Sequence, residues 1–395
     1  MTERLSIRKF GPIQEADIEV RDLTVFVGPQ ATGKSMAAQL LYFMSGVEDT
    51  LLGPPGISTM IRDHDSDWDI QAITNTALYW WLGEKLSNYA ETGTQLVWSS
   101  NASGDNRMNW SDPVRGEVNS VFSARVKGYL LGTDDLKPSP HQAQIYIPAG
   151  RSLYSFMPPA QALLTVREQQ FPGYIRKFYS ILEQAIRDVA RARKSDLQAD
   201  PLIKTAHARI KNVMKGDLRY EAHGDVLLKI QDKTFSPQSF AAGQMEIWPF
   251  FATLQSQVLA GEIDKTRFYI EEPEAHLHPG AQLKVLEIIA SAVQRGAQVV
   301  ITTHSPYILY AINNFITAAE VLNNGKLLPS GVAEDTALPH ERVSAYRFTA
   351  RGVARNIFDR KAGLIDSTEL NSLADDLGTS FSAMQALLLA AAAAK

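Results

Sequence analysis

The sequence predicts an α/β fold, on three observations. Apolar runs at Leu23–Val27, Arg267–Ile270 and Gln298–Thr302 have the length and composition of buried strands. Helical patterns occupy Lys34–Met44, Gly243–Ala260 and Gly280–Gln294. The first of these strands runs through a glycine-containing loop straight into a helix. Strands separated by helices imply an α/β core.

Taken in order, Arg4–Ile7 and Ala16–Val20 alternate as short strands before Leu23–Val27. Asp67–Tyr89 reads as an aromatic-rich helix. Gln95–Val126 alternates between polar turns, as a small sheet does, and Ala143–Pro148 is strand-like. Gln161–Lys215 is helical and basic, broken near Pro172 and Pro201, and its apolar repeat is too irregular for a long coiled coil. Val226–Ile230 is again a strand, Pro249 is a kink inside Gly243–Ala260, and Val343–Phe348 is a strand with a helix expected after Asp366. The divisions expected are 1–50 and 226–340 as two halves of one head, 51–225 as an insertion, and 341–395 as a small extension.

Composition narrows the function. The chain has 395 residues and no cysteine, which excludes disulfides and thiolate metal sites and makes a reducing cytoplasm the expected setting. The longest apolar run, Ala386–Ala394, has nine residues, against the ~18 a membrane helix needs, so no membrane association is expected. The opening MTERLSIRKFGPI lacks the apolar centre of a secretory signal. Net charge is −4, yet Phe171–Arg219 carries eleven Lys/Arg against five Asp/Glu. That basic island is a candidate nucleic-acid contact or a solvated helix face.

Five segments carry candidate chemistry. Gly28-Pro29-Gln30-Ala31-Thr32-Gly33-Lys34-Ser35 fits G-x-x-x-x-G-K-[ST]. Its glycines let backbone N–H groups close around phosphate oxygens at a helix N-terminus; Lys34 would reach the outer phosphates and Ser35 would hold Mg²⁺. Glu271 and Glu272 end the strand starting at Arg267, with Glu271 suited to the metal side and Glu272 to orienting a water. His304 ends the strand from Gln298, where an imidazole can bond a phosphate or the attacking water. Ala242-Gly243-Gln244 opens a helix whose backbone N–H groups suit a phosphate. Arg151, in Ile147–Ser152, is a candidate phosphate sensor or a structural arginine.

Together these segments resemble the ABC-type ATPase heads of the SMC, RecF and OLD families, and look most similar to the prokaryotic ABC-like AAA ATPases of anti-phage systems of the PARIS and Septu type. The resemblance rests on FGPI at Phe10–Ile13, GPQATGKS, IPAGRS, AAGQME, EEPEAHLHP at Glu271–Pro279 and TTHSP at Thr302–Pro306. Spacing agrees: Gln244 precedes Glu272 by 28 residues, His304 follows it by 32, and Lys34 lies 238 residues upstream of it. The resemblance implies an ABC-type P-loop NTPase head with a mixed and helical insertion between phosphate loop and signature. It implies ATP and Mg²⁺ sandwiched between two heads, with Lys34, Ser35, Glu271, Glu272 and His304 acting in cis and Ala242, Gly243 and Gln244 in trans. A homodimer or larger homo-oligomer follows.

This chain departs from the family pattern at Ala241 and Ala242, where serine is usual, and at Glu271, where Asp is more common. Both bear on the rate of hydrolysis more than on binding. OLD-type nucleases add a Toprim domain, but only 91 residues follow His304 here, without a strand-ending Glu and Asp-x-Asp pair, so the chain is expected not to be a nuclease itself. The leading expectation is therefore an ATPase scaffold or sensor controlling a separate effector, a nuclease, in anti-phage defence. The alternatives are a RecF-like DNA-repair ATPase and an ATP-locked scaffold with negligible turnover.

Overall fold

The computed structural model describes residues 3–46, 70–83, 88–100, 104–110, 116–119, 143–156, 171–221 and 224–366, with a few isolated positions besides. Strands β1 (Glu3–Phe10) and β2 (Ile13–Val20) form a hairpin that turns at Gly11, whose φ of 56° suits glycine. Strand β3 (Leu23–Val27) follows and is buried along its whole length; the phosphate loop then leads into α1 (Lys34–Ser45). Helix α2 (Ile70–Leu82) and strands β4 (Ala90–Ser100), β5 (Gly104–Trp110) and β6 (Gly116–Val118) come next. Within the described residues, the aromatic helix read from the sequence is Ile70–Leu82, and the small sheet begins at Ala90, five residues before the expected Gln95.

Strand β7 (Ala143–Ile147) precedes a 3-10 segment, Ala149–Phe156. The basic stretch folds as α3 (Gly173–Arg191), α4 (Lys194–Ala199) and α5 (Pro201–Met214). Both prolines sit at helix starts, as a ring without an N–H requires. Pro172 caps α3 and Pro201 opens α5, where the Asp200 side chain also accepts from Leu202 N and Ile203 N. Strands β8 (Asp217–Tyr220), β9 (Val226–Ile230) and β10 (Lys233–Phe235) form a small antiparallel sheet. Then come α6 (Ala242–Leu259), which continues through Pro249, β11 (Thr266–Glu271), α7 (Pro279–Gln294), β12 (Gln298–Thr303) and α8 (Pro306–Asn323). Strands β13 (Val343–Phe348), β14 (Ala354–Asn356), β15 (Phe358–Asp359) and β16 (Leu364–Ile365) close the described chain. Of the helix expected after Asp366, only Thr379 and Ser382–Gln385 are among the described residues, and both are helical; the alanine tail lies outside them.

The central sheet has the order β14-β13-β3-β12-β11-β7. All its pairings are parallel except β13 with β14. Alternate side chains of these strands feed two cores. One face, with Val25, Val27, Ile145, Phe268, Ile270, Val299 and Ile301, packs on α3, α5, α6, α7 and α8. The other, with Phe26, Tyr146, Tyr269, Val300 and Tyr346, packs on α1, α2 and the antiparallel sheet β2-β1-β4-β5-β6. Each fully buried large side chain contributes about 1.5–3 kcal/mol. Strand β7, from the 51–225 segment, and β13, from the 341–395 segment, are both members of the central sheet. Parallel pairing needs long crossovers, so sequence neighbourhood does not reveal membership.

Candidate functional site

In a parallel sheet the loops beyond the carboxyl ends of the strands share one edge. Here β3, β12, β11 and β7 are consecutive neighbours. Val27 pairs with Thr303, Glu271 with Thr302, and Ile270 with Ile147. The register therefore sets Gly28, His304, Glu272 and Pro148 side by side, although they are spread over 276 residues of sequence.

The phosphate loop is shaped by Gly28 (φ 146°), Ala31 (φ 60°) and Gly33 (φ 98°). A Cβ on Gly28 would stand 2.3 Å from the Phe348 carbonyl oxygen, and one on Gly33 would stand 2.5 Å from Ile13 Cγ1. Pro29, Gln30 and Ala31 form an exposed crest, while Thr32 is buried and its hydroxyl donates to Pro29 O at 2.9 Å. Lys34 is buried and folds back, donating to Gly28 O (2.9 Å) and Pro29 O (2.6 Å). Burial pulls its ammonium down to about 8, against the opposing influence of Glu272 and Glu274.

His304 joins this loop to the carboxylates. Its Nδ1 lies 2.9 Å from Gly28 O and 3.4 Å from Lys34 Nζ, and its Nε2 lies 2.8 Å from Glu272 Oε1. A carbonyl only accepts, so Nδ1 carries a proton toward Gly28. The Nε2–Glu272 bond then needs one more proton on the pair, either on Nε2 or on the Glu272 carboxyl. Glu272 itself adopts φ 43°, a left-handed conformation costing roughly 1–3 kcal/mol for a non-glycine residue. It is held there by Glu272 N donating to Thr302 O (2.9 Å) and by Ala275 N and Arg151 Nη2 donating to Glu272 O.

Residues 169–309 match the family model described as "AAA domain, putative AbiEii toxin, Type IV TA system". That model covers 141 of the 395 residues, from just before α3 into the first turn of α8. Solved structures similar to it include an SMC head bound to the C-winged helix domain of ScpA, at 11% identity, covering 90% of this chain and 96% of that one, with a TM-score of 0.43. The SMC head domain from Thermotoga maritima is 13% identical over 90% and 98%, with a TM-score of 0.37. The recombination mediator protein RecF-ATPrS in the RecFOR pathway is 10% identical over 90% and 98%, with a TM-score of 0.42. No curated relative matches the sequence.

Glu271 is buried and both its oxygens are engaged. Oε1 accepts from the Tyr146 hydroxyl (2.7 Å) and Oε2 from Ala149 N (2.9 Å). The same hydroxyl is 3.5 Å from Ser35 O, so Glu271 and Ser35 meet at one tyrosine. A serine hydroxyl and a carboxylate are the hard oxygen donors that Mg²⁺ takes alongside phosphate and water, so these residues fit the ion. Among the described residues no group of three or more His, Asp or Glu gathers to hold a metal by protein ligands alone.

Arg151 takes a different place from the phosphate contact considered from sequence. It is 1% exposed, and it donates to Glu246 O (2.6 Å), Pro148 O (3.1 Å), Glu271 O (2.6 Å) and Glu272 O (2.9 Å), with an ion pair to Glu246 at 3.2 Å. This guanidinium clamps the turn after β11 to α6 and is a positioning residue. Gln244 is also used locally. Its Oε1 accepts from Ala241 N (2.8 Å), capping α6, and its Nε2 donates to Met214 O (2.6 Å). Gly243 lets α6 approach the 274–278 turn, since a Cβ there would lie 2.7 Å from His276 O. Gly243 and Gln244 line a cavity of about 610 Å³ with Lys215, His276, His278 and Lys284. None of residues 28–35 lines that cavity.

The sequence reading missed two residues. Glu274 Oε1 accepts from Thr303 Oγ1 (2.5 Å) and His304 N (3.0 Å), fixing the start of the His304 turn. Its signal was the third carboxylate of Glu271-Glu272-Pro273-Glu274. Tyr146 had no signal beyond an aromatic residue in a strand.

Proposed function

We propose that the protein is a Mg²⁺-dependent ATPase switch in which two copies close on ATP. The observation that supports this is the single contact set of Gly28, Lys34, Glu272 and His304, which ties the glycine-containing loop before α1 to the Glu272 carboxylate. Residues Gly28 to Ser35 would cradle the phosphates with backbone N–H groups at the N-terminus of α1. Lys34 would exchange the carbonyls of Gly28 and Pro29 for phosphate oxygens. Glu272 and His304 would share a proton beside the attacking water. Ser35 and Glu271 would hold Mg²⁺, whose charge would neutralise the phosphate oxygens. Ala242, Gly243 and the Gln244 backbone would meet the ATP of the partner head.

The output of this switch is proposed to be a separate effector, a nuclease, in anti-phage defence. The motif resemblance supports that reading, and the matched family model, whose description names a toxin of a toxin–antitoxin system, is compatible with it. The DNA-repair alternative draws less support. Of the basic residues in 171–219, Arg209 is buried in ion pairs with Glu287 and Asp335, Lys211 pairs with Asp217, Arg187 pairs with Glu183, and Lys177 lies 5.6 Å from the centre of the Tyr42 ring. Arg209 is thereby committed to the fold, while the exposed charges of Arg187 and Lys211 are paired with carboxylates.

The test is light scattering of Glu272→Gln with ATP and Mg²⁺, followed by pull-down of the neighbouring gene's product. The reading expects nucleotide-dependent doubling of mass and recovery of the effector. A mass that ignores nucleotide would refute the two-head switch, and a strictly solitary protein would refute the effector.

A further inference from the structure

Tyr146 stands on β7 with its ring inside an aromatic stack and its hydroxyl at the metal side of the head. The ring contacts Tyr42, Trp81, Tyr174 and Tyr269 at centroid distances of 5.4–6.1 Å. Packing of this kind needs a ring but no hydroxyl. Two other tyrosines of the stack direct their hydroxyls elsewhere: Tyr269 to Ser45 Oγ (3.1 Å) and Tyr42 to Gln144 O (3.5 Å). Tyr146 alone among these three donates to Glu271, at 2.7 Å, while its oxygen stays 3.5 Å from Ser35 O.

The second carboxylate oxygen is fixed by Ala149 N, so Glu271 has a single orientation set from β7 and the turn that follows it. Each oxygen of an ionised carboxylate keeps a further lone pair for a water. Shortening the side chain by one methylene, as the more usual Asp would, draws the carboxylate back from the Tyr146 hydroxyl. The length of Glu271 and the hydroxyl of Tyr146 are therefore matched.

We propose that Tyr146 is a positioning residue that sets the Mg²⁺ affinity of the head by holding Glu271, and that the two residues act as a length-matched pair. The proposal rests on the Mg²⁺-dependent nucleotide binding proposed above. Partners that orient ligating groups in this way typically change metal affinity about 10- to 100-fold when removed.

The experiment is a Mg²⁺ titration of binding of a fluorescent ATP analogue to the full chain. It compares wild type, Tyr146→Phe, Glu271→Asp, the double variant and Tyr269→Phe, with melting temperatures for each. Tyr146→Phe is expected to raise the Mg²⁺ concentration for half-maximal binding by about ten-fold or more. Affinity in EDTA should be unchanged. The double variant is expected to behave as Glu271→Asp alone, since the hydroxyl has already lost its partner. Tyr269→Phe, which removes a hydroxyl from the same stack, should keep the wild-type midpoint. A Tyr146→Phe midpoint within two-fold of wild type, or an equal shift in Tyr269→Phe, would overturn the proposal while leaving the ATPase reading intact. A wild type whose nucleotide binding ignores Mg²⁺ would overturn both.

Discussion

Lys34 is the side chain whose protonation the proposed nucleotide binding changes. In the free protein, burial lowers its pKa from the usual 10.5 to about 8. The unfolded chain therefore binds more protons than the folded one between about pH 8 and 10.5, and stability from this group rises with pH across that window. Lys34→Met removes the buried charge. It should be more stable than wild type at pH 7 in chemical denaturation, with the gap closing by about pH 10.5. Phosphates favour the ammonium, so ATP binding at pH 9 should take up a proton, seen by calorimetry in buffers of different ionisation enthalpy. No uptake would show that Lys34 does not reach the nucleotide. The places of Lys34, Glu272 and His304 were legible in sequence because each lies in a motif at the end of an apolar run. Arg151 and Tyr146 were not, because their partners are set by which strand β7 joins, and that strand arrives more than 100 residues after β3.

The phosphate loop is gripped between elements far apart in the chain. Gly28 touches the end of β13 and Gly33 touches the β1–β2 hairpin, leaving no room for a side chain at either. Gly28→Ala adds a Cβ 2.3 Å from a backbone oxygen at φ 146°, so it should destabilise by about 3 kcal/mol or more and abolish nucleotide binding, measured by urea titration and analogue binding. Gly243→Ala meets His276 O at 2.7 Å and should cost about 1–3 kcal/mol while weakening head pairing, with nucleotide binding by the separate head retained. Element identity was well marked: β3 and β13 have the bounds the pattern predicts, and α5 begins at the Asp200–Pro201 cap. Their arrangement was not, because period and caps report local conformation. The parallel pairing of β13 with β3 depends on a crossover that no short motif encodes.

Across the whole molecule, the basic arm is fastened to the head by Arg209 of α5. It bonds Glu287 and Ser291 of α7 and both carboxylate oxygens of Asp335, with Arg295 and Asp200 forming a second tie. The same α7 begins eight residues beyond Glu271, so the arm and the carboxylate turn share a rigid support. Arg209→Ala should destabilise by about 3 kcal/mol, the low end for a broken buried pair because Asp335 is partly exposed. Denaturant unfolding would measure it, and a loss below about 0.5 kcal/mol would show the tie to be ornamental. Net charge concealed this role, since the eleven basic residues read as one island while the fold divides them between internal ties and solvent. The central claim is that Glu272, joined through His304 to the phosphate loop, turns bound ATP into a timed switch. Steady-state ATP hydrolysis by wild type and Glu272→Gln, with analogue binding measured in parallel, tests it most directly. The account predicts clear wild-type turnover that falls about 100-fold or more in Glu272→Gln with binding retained. Equal turnover in the two proteins, or none in either with ATP still bound, would contradict it, the latter leaving an ATP-locked scaffold.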